Sequence, residues 1–121
     1  MAHISVARAY DAPTESTAVR LLVDRVWPRG LRKAELHLDE WLRDIAPSAA
    51  LRKWFGHDPA KWAAFQKRYR AELDENPDAV QRCLAWCRKG PVVLLYGARD
   101  EAHNQAVVLR DYLREHMKDK A

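Results

Sequence analysis

Two apolar runs of strand length constrain the fold of this chain most. Residues 92–96 read Val-Val-Leu-Leu-Tyr directly after Gly90-Pro91, and a second run, Val19 to Asp24, contains Leu21-Leu22-Val23. Neither run alternates apolar with polar residues, which is typical of strands that are covered on both faces. Such strands occur in parallel sheets with helices packed against them, so the two runs predict interior strands of an α/β fold.

The other elements of the first half are predicted from hydrophobic spacing. His3 to Tyr10 alternates apolar and polar residues, which predicts a first strand that ends near Ala9. Helical spacing between Glu35 and Trp54, interrupted by Pro47, predicts two brief helices, the second capped by Ser48. The apolar residues that predict the first of these helices are Leu38, Trp41, Leu42 and Ile45.

Longer helices are predicted in the second half of the chain. Asp58-Pro59 and Asn76-Pro77 each place a capping residue before a proline, which is a frequent start of a helix, and Asp100 leads into a last helix. The second of these helices carries Cys83 and Cys87 on its apolar stripe. We therefore expect both cysteines to be buried, reduced thiols that pack as small apolar residues.

The order of the elements predicts the fold class. Two strands, a mostly helical middle, a strand and a final helix predict a small, helix-rich, three-layer α/β domain with a short and mainly parallel sheet. The long helical crossover makes the second and third predicted strands parallel neighbours. A chain of 121 residues has the size of one domain, so residues 1–121 are predicted to form a single domain.

Composition and motifs argue against several classes of protein. No apolar run approaches the roughly 20 residues that cross a bilayer, and the N-terminus lacks the pattern of a secretory signal, so we expect a cytoplasmic protein with no membrane partner. The net charge of +4 favours anionic partners only slightly, because acidic residues are interspersed. Zinc-type ligand spacings and the glycine-rich nucleotide motifs are missing from the sequence, so neither a metal nor an organic cofactor is expected.

Polar residues follow both interior strands at their carboxyl ends, where ligands bind in parallel sheets. We therefore predict one ligand site at this edge. The N–H groups and the dipole of the last helix suit an anion there, and arginines add bidentate donors. The predicted ligand-binding residues are Arg25, Trp27, Arg29, Trp54, Tyr96, Arg99, His103 and Asn104.

Titratable groups near this site form a predicted catalytic set of Asp24, His57 and Asp58. His57 is the candidate for proton transfer because imidazole changes its charge near neutral pH. The sequence leaves a structural interpretation open for each candidate. For Arg25 and Arg29 it is pairing with an acidic side chain that braces the turn, and for Asp24 it is a carboxylate held by backbone N–H groups or an arginine.

The remaining candidates also have two interpretations. Asp58 serves as a helix cap if it has no chemical role. The loop tryptophans Trp27 and Trp54 either pack in the core or stack on a base or sugar. His103 and Asn104 are expected in the first turn of the last helix, where they either hydrogen-bond a ligand or decorate an exposed helix start.

Three segments resemble the YeaO-like family: Leu22-Val23-Asp24-Arg25-Val26-Trp27-Pro28-Arg29-Gly30-Leu31, Leu51 to Pro59, and Leu94 to Asn104. That family belongs to a broader set of bacterial and archaeal domains of unknown function. The resemblance implies a Rossmann-like fold and a cytoplasmic location without supplying a reaction. In the broader set, a Cys-Ala-Glu follows the last strand and a Cys-His-Arg opens the helix.

In this chain the two cysteine positions of that element are Tyr96 and Asn104, and its later His and Arg are Gln105 and Ala106. The resemblance therefore implies that thiol chemistry is lost. Two functions remain open. One is binding of a small anionic ligand, phosphorylated or nucleotide-like, at the carboxyl ends of the second and third predicted strands, with or without hydrolysis. The alternative is a non-catalytic protein- or nucleic-acid-interaction domain, which dispersed cations on a convex face would favour.

Overall fold

The sheet places the two continuous apolar runs at its centre. In a computed structural model that describes residues 3–11 and 17–118, four parallel strands form one sheet in the order β1-β4-β2-β3. The strands are β1 (Ile4–Arg8), β2 (Val19–Leu22), β3 (Glu40–Trp41) and β4 (Val92–Tyr96). β4 pairs with β1 on one side and with β2 on the other, so both predicted interior strands are confirmed as parallel neighbours.

Helices occupy most of the remaining described chain. They are α1 (Lys33–Leu36), α2 (Ala49–Phe55), α3 (Trp62–Asp74), α4 (Pro77–Cys87) and α5 (Gln105–Lys118), with 3₁₀ turns at Arg43–Ile45 and Pro59–Lys61. The capping predictions for α2 and the Pro59 turn are confirmed, because the side chains of Ser48 and Asp58 accept from the N–H groups of Leu51 and Ala60. None of the helices in the described ranges combines the length and apolar character that a membrane span requires.

The two faces of the sheet are covered unequally. Alternate residues of β2 and β4 such as Leu21 and Leu94 join a large buried cluster with side chains of α2, α3, α4 and α5. Leu22 and Leu95 face the other way into a small cluster with Leu36 of α1 and the loop after β2. The α/β prediction is therefore confirmed, and the third layer is a single short helix with its flanking loops.

The stretch from Leu38 to Ile45 is not the helix that its spacing predicts. It forms the edge strand β3 and a 3₁₀ turn instead. Backbone hydrogen bonds to β2 override the local pattern: the N–H of Asp39 donates to the carbonyl of Arg20 at 2.9 Å, and that of Leu42 donates to Leu22 at 2.8 Å. Pairing with an existing strand satisfies backbone groups that an isolated short helix would leave open.

The apolar stripe of α4 faces the core as predicted. Both cysteines, Cys83 and Cys87, are buried and free of a disulfide. The hydrogen bond with the Cys87 thiol, followed by burial, raises the pKa of Cys83. A buried, protonated thiol is a poor nucleophile, which agrees with a packing role for this helix.

Candidate functional site

A cavity of about 600 Å³ opens at the carboxyl edge of the sheet. One wall consists of the segments that follow β2 and β4 together with the start of α5. The other wall is α2 and the turn after it. This is the edge at which the sequence predicts a ligand site, because the parallel strands all end there.

Asp24 lies at the centre of the sheet-edge wall. Its Oδ2 accepts a hydrogen bond from the backbone N–H of Gly97 at 2.8 Å, and its Oδ1 accepts one from the side-chain amide of Gln105. Burial raises the pKa of Asp24 to about 6, although these two hydrogen bonds and the charges of Arg52 and His57 act in the opposite direction. The carboxylate therefore joins the ends of β2 and β4 to the first residue of α5.

Gly97 is required beside this carboxylate for steric reasons. A Cβ atom built on Gly97 would lie 2.9 Å from Oδ2 of Asp24, which is closer than carbon and oxygen atoms approach without a bond. The missing side chain thus lets the backbone N–H reach the carboxylate. Any larger residue has to displace Asp24 or the strand end.

Arg25 braces the turn, but not through an acidic partner. Its Nε donates to the carbonyl of Pro47 at 3.2 Å and its Nη2 donates to that of Ala46 at 3.1 Å. Trp27 is also partnered: its indole N–H donates to the carbonyl of Leu31 at 2.7 Å, and its ring meets Trp41 edge-on. Both residues line the cavity while holding its loops in place.

Arg29 differs from its neighbours because only its backbone is engaged. Its carbonyl accepts from the hydroxyl of Tyr10 at 2.7 Å. The exposed guanidinium lines the cavity and makes no ion pair or side-chain hydrogen bond with residues 3–11 or 17–118. Arg29 is therefore a cation that is available to a ligand.

The α2 wall presents further cations. Arg52 and Lys53 are exposed, line the cavity, and have no side-chain partner within the described part of the chain. The helix that carries them is fixed at its start, where Glu72 accepts from the backbone N–H and the hydroxyl of Ser48 at 2.8 and 2.6 Å. The anchored start of α2 thus helps to position two exposed basic side chains in the cavity lining.

The turn after α2 has an uncommon backbone. Gly56 and His57 both adopt left-handed conformations, with φ of 52° and 57°. Glycine does so freely, whereas a histidine in this region carries strain. His57 lines the cavity and its ring lies 5.9 Å from that of Phe55, so the turn carries the imidazole to the same opening as Arg52 and Lys53.

Asn104 reaches the cavity in a capping role. Its Oδ1 accepts from the N–H of Val107 at 3.2 Å and its Nδ2 donates to the carbonyl of Asp100 at 2.9 Å. His103 and Asn104 both precede α5, which begins at Gln105, so their expected place in the first helical turn is wrong, and His103 does not line the cavity. The Nδ1 of His103 lies 2.9 Å from Oδ2 of Asp100. Asp100 also accepts from the backbone N–H of His103, and this turn precedes the start of α5.

The other predicted site residues lie outside the cavity lining. Asp58 caps the Pro59 turn through a 3.0 Å bond from the N–H of Ala60. Trp54 belongs to α2, so its expected position on a loop is wrong, and the guanidinium of Arg68 lies over its ring, 4.0 Å from the ring centre. Tyr96 is 2% exposed, and Arg99 is exposed without a side-chain partner among the described residues.

Sequence reasoning missed several residues of the cavity, among them Arg52, Lys53 and Gln105. Arg52 and Lys53 belong to the second family-like segment, but their position on an exposed helix face gave no chemical signal. In the sequence, Gln105 stands out only as the residue in place of the later histidine of the family element. Its contact with Asp24 spans 81 residues and depends on the sheet topology.

Comparison with known proteins identifies the family. Residues 3–121 match the family described as the inactive DUF488-N3 subclade. The uncharacterized protein YeaO of Escherichia coli (strain K12) is 42% identical over 112 residues, covering 93% of this chain and 97% of that protein. The uncharacterized protein Rv3073c of Mycobacterium tuberculosis H37Rv is 34% identical over 110 residues, covering 91% and 92%. No solved structure matches with comparable significance. The chain therefore belongs to the DUF488 family, in its YeaO-like branch.

Proposed function

We propose that this chain is a cytoplasmic binding domain for a small anionic ligand, phosphorylated or nucleotide-like, which it holds in the cavity at the sheet edge. The observation that carries the proposal is the set of cations on one concave surface. Arg29, Arg52 and Lys53 line the cavity and have no side-chain partner among the described residues. Unpaired positive charges that converge on a cavity create the potential that attracts and orients an anion.

The local acidic group does not cancel this potential. Asp24 is partly buried, and both of its oxygens already accept hydrogen bonds from Gly97 and Gln105. Arg25 also lines the cavity, and its hydrogen bonds to backbone carbonyls leave its positive charge without a carboxylate partner among residues 3–11 and 17–118. The cavity therefore has more positive than negative groups at neutral pH.

Binding without hydrolysis accounts best for the predicted catalytic set. Asp24 and His57 line the cavity, whereas Asp58 caps the Pro59 turn and is not part of the lining. The family description calls the matching subclade inactive. Two buried free cysteines support a reducing compartment, as in the cytoplasm.

Thermal denaturation with phosphate compounds tests the proposal. We expect inorganic phosphate or ribose 5-phosphate to raise the melting temperature of the wild-type protein, since a ligand at 100 times its dissociation constant stabilises a fold by about 2.7 kcal/mol. The shift should be lost in R52A and R29A. R99A is the matched control, because Arg99 is an exposed arginine outside the cavity lining. Equal shifts in all three variants, or none in the wild type, would contradict the proposal.

A further inference from the structure

The sheet-edge wall presents hydrogen-bond acceptors to the cavity. Each oxygen of the Asp24 carboxylate accepts one bond from the protein and keeps capacity for a second. Gln105 donates through its amide nitrogen, while its amide oxygen has no hydrogen-bond partner in the part of the chain that the structure describes. Adjacent acceptor oxygens complement a ligand that carries N–H donors.

Apolar side chains also contribute to the lining of the cavity. They include Val26, Trp27, Pro28, Pro47, Phe55 and Phe65. Aromatic rings and prolines provide flat surfaces on which a planar group packs, and this packing removes few other groups from water. A fully hydrated ion such as free phosphate would leave these surfaces unused.

The cavity has room for a ligand with an anionic group, an apolar planar part and an end that carries N–H donors. Its volume of about 600 Å³ falls within the roughly 300–1,000 Å³ typical of small-molecule sites. Arg52 and Lys53 on α2 suit a phosphate, because guanidinium and ammonium groups are the usual donors to phosphate oxygens. The wall with Asp24 and Gln105 suits the opposite end of the ligand.

We infer, resting on the proposed function, that the ligand is a nucleoside monophosphate whose base presents adjacent N–H donors, as guanine does, to Asp24 and Gln105. Guanine carries a ring N–H next to an exocyclic amino group, and a carboxylate accepts such a pair of donors with two parallel bonds. The phosphate then lies toward Arg52 and Lys53, with the apolar side chains against the base.

Calorimetric titration with matched nucleotides tests this assignment. At pH 7.5, we expect the wild type to bind guanosine monophosphate at least tenfold more tightly than inosine monophosphate, which lacks the amino group, or ribose 5-phosphate. In D24N the preference for guanosine monophosphate should disappear while ribose 5-phosphate still binds. R52A should weaken all three ligands by a similar factor, because it removes a phosphate contact that they share.

The outcomes distinguish the assignment of a guanine base from the proposed binding of an anion. If ribose 5-phosphate binds the wild type and loses affinity in R52A, but guanosine monophosphate binds no more tightly, the base assignment is wrong and the anion site stands. If none of the ligands binds, the proposed function fails as well. A guanine-containing oligonucleotide that binds more tightly than the mononucleotide would assign the site to nucleic acid and overturn the inference. Should D24N not fold, the wild-type comparison of guanosine with inosine monophosphate decides.

Discussion

The two walls of the cavity hold their polar side chains in different ways. On the sheet-edge wall, Asp24, Arg25 and Gln105 make hydrogen bonds to groups distant in the sequence. On the α2 wall, Arg52 and Lys53 are exposed and make no side-chain hydrogen bonds with the described residues. Partnered, partly buried groups contribute to stability, whereas exposed single charges contribute little. Substitutions on the two walls should therefore separate folding from binding.

The largest expected effect is that of G97A on the sheet-edge wall. The added Cβ would meet Oδ2 of Asp24 at 2.9 Å and displace it from the N–H of Gly97. We expect the free energy of unfolding to fall by about 2–3 kcal/mol, as measured by chemical denaturation. The same substitution should cost less in a D24A background, where the clashing atom is missing. An equal cost in both backgrounds would show that the steric conflict lies elsewhere.

The second effect is a pH-dependent gain of stability in D24N. Burial raises the pKa of Asp24 from 3.8 to about 6, so the native state binds more protons than the unfolded state between these values. The favourable contribution of the protonated carboxyl is therefore present at low pH and is lost as the pH rises through about 6. The loss amounts to about 2–3 kcal/mol, and D24N should not suffer it.

Denaturation of both proteins from pH 4 to pH 8 measures this difference. In D24N the side-chain amide oxygen still accepts from the N–H of Gly97. If the Gln105 amide flips, its oxygen accepts from the side-chain nitrogen that D24N introduces. The comparison of wild type with D24N cancels the titration of other groups. A difference that does not change across this range would mean that Asp24 ionises as readily in the folded protein as in the unfolded chain.

A smaller loss of stability is expected for R25A. The variant removes the donors to the carbonyls of Ala46 and Pro47, which should cost about 1–2 kcal/mol in urea denaturation. R25K is the informative control, because it keeps the charge but loses the two-nitrogen geometry. If R25K were as stable as the wild type, charge rather than bracing would explain the role of Arg25.

The smallest effect on stability is expected on the α2 wall. R52A and K53A should change the free energy of unfolding by less than about 0.5 kcal/mol, because neither side chain is buried or has a partner among the described residues. The same variants should lose the stabilisation by ribose 5-phosphate. A large drop in the melting temperature of either variant without ligand would erase the distinction between the walls.

The sequence predicts those parts of the fold whose signal is local. The continuous apolar runs identify β2 and β4, and the cap signals at Ser48 and Asp58 locate helix starts, because each depends on neighbouring residues. β3 is different. Glu40 and Trp41 become a strand only through pairing with Leu21 and Leu22, and no local pattern encodes that partner.

The candidate site follows the same division. Strand ends predict that Asp24 and Arg29 lie at one edge, because parallel strands share their direction. Which arginine is free and which is engaged depends on carbonyl groups more than 20 residues away, as for Arg25. The contact between Asp24 and Gln105 likewise needs the crossover to be known.

The Asp24 carboxylate has a consequence for motion in this domain. Its two hydrogen-bond partners, Gly97 and Gln105, lie 73 and 81 positions further along the sequence. The ends of β2 and β4 and the start of α5 therefore have to move apart in one step. A ligand that bonds to Asp24 would slow hydrogen exchange at the amide of Gly97, which opens only when that carboxylate moves. The amides of α2, whose basic side chains have no side-chain partner in the described ranges, should respond less. The hydrogen-exchange rate of the Gly97 amide therefore reports whether a ligand occupies the site, and no probe has to be attached to the protein.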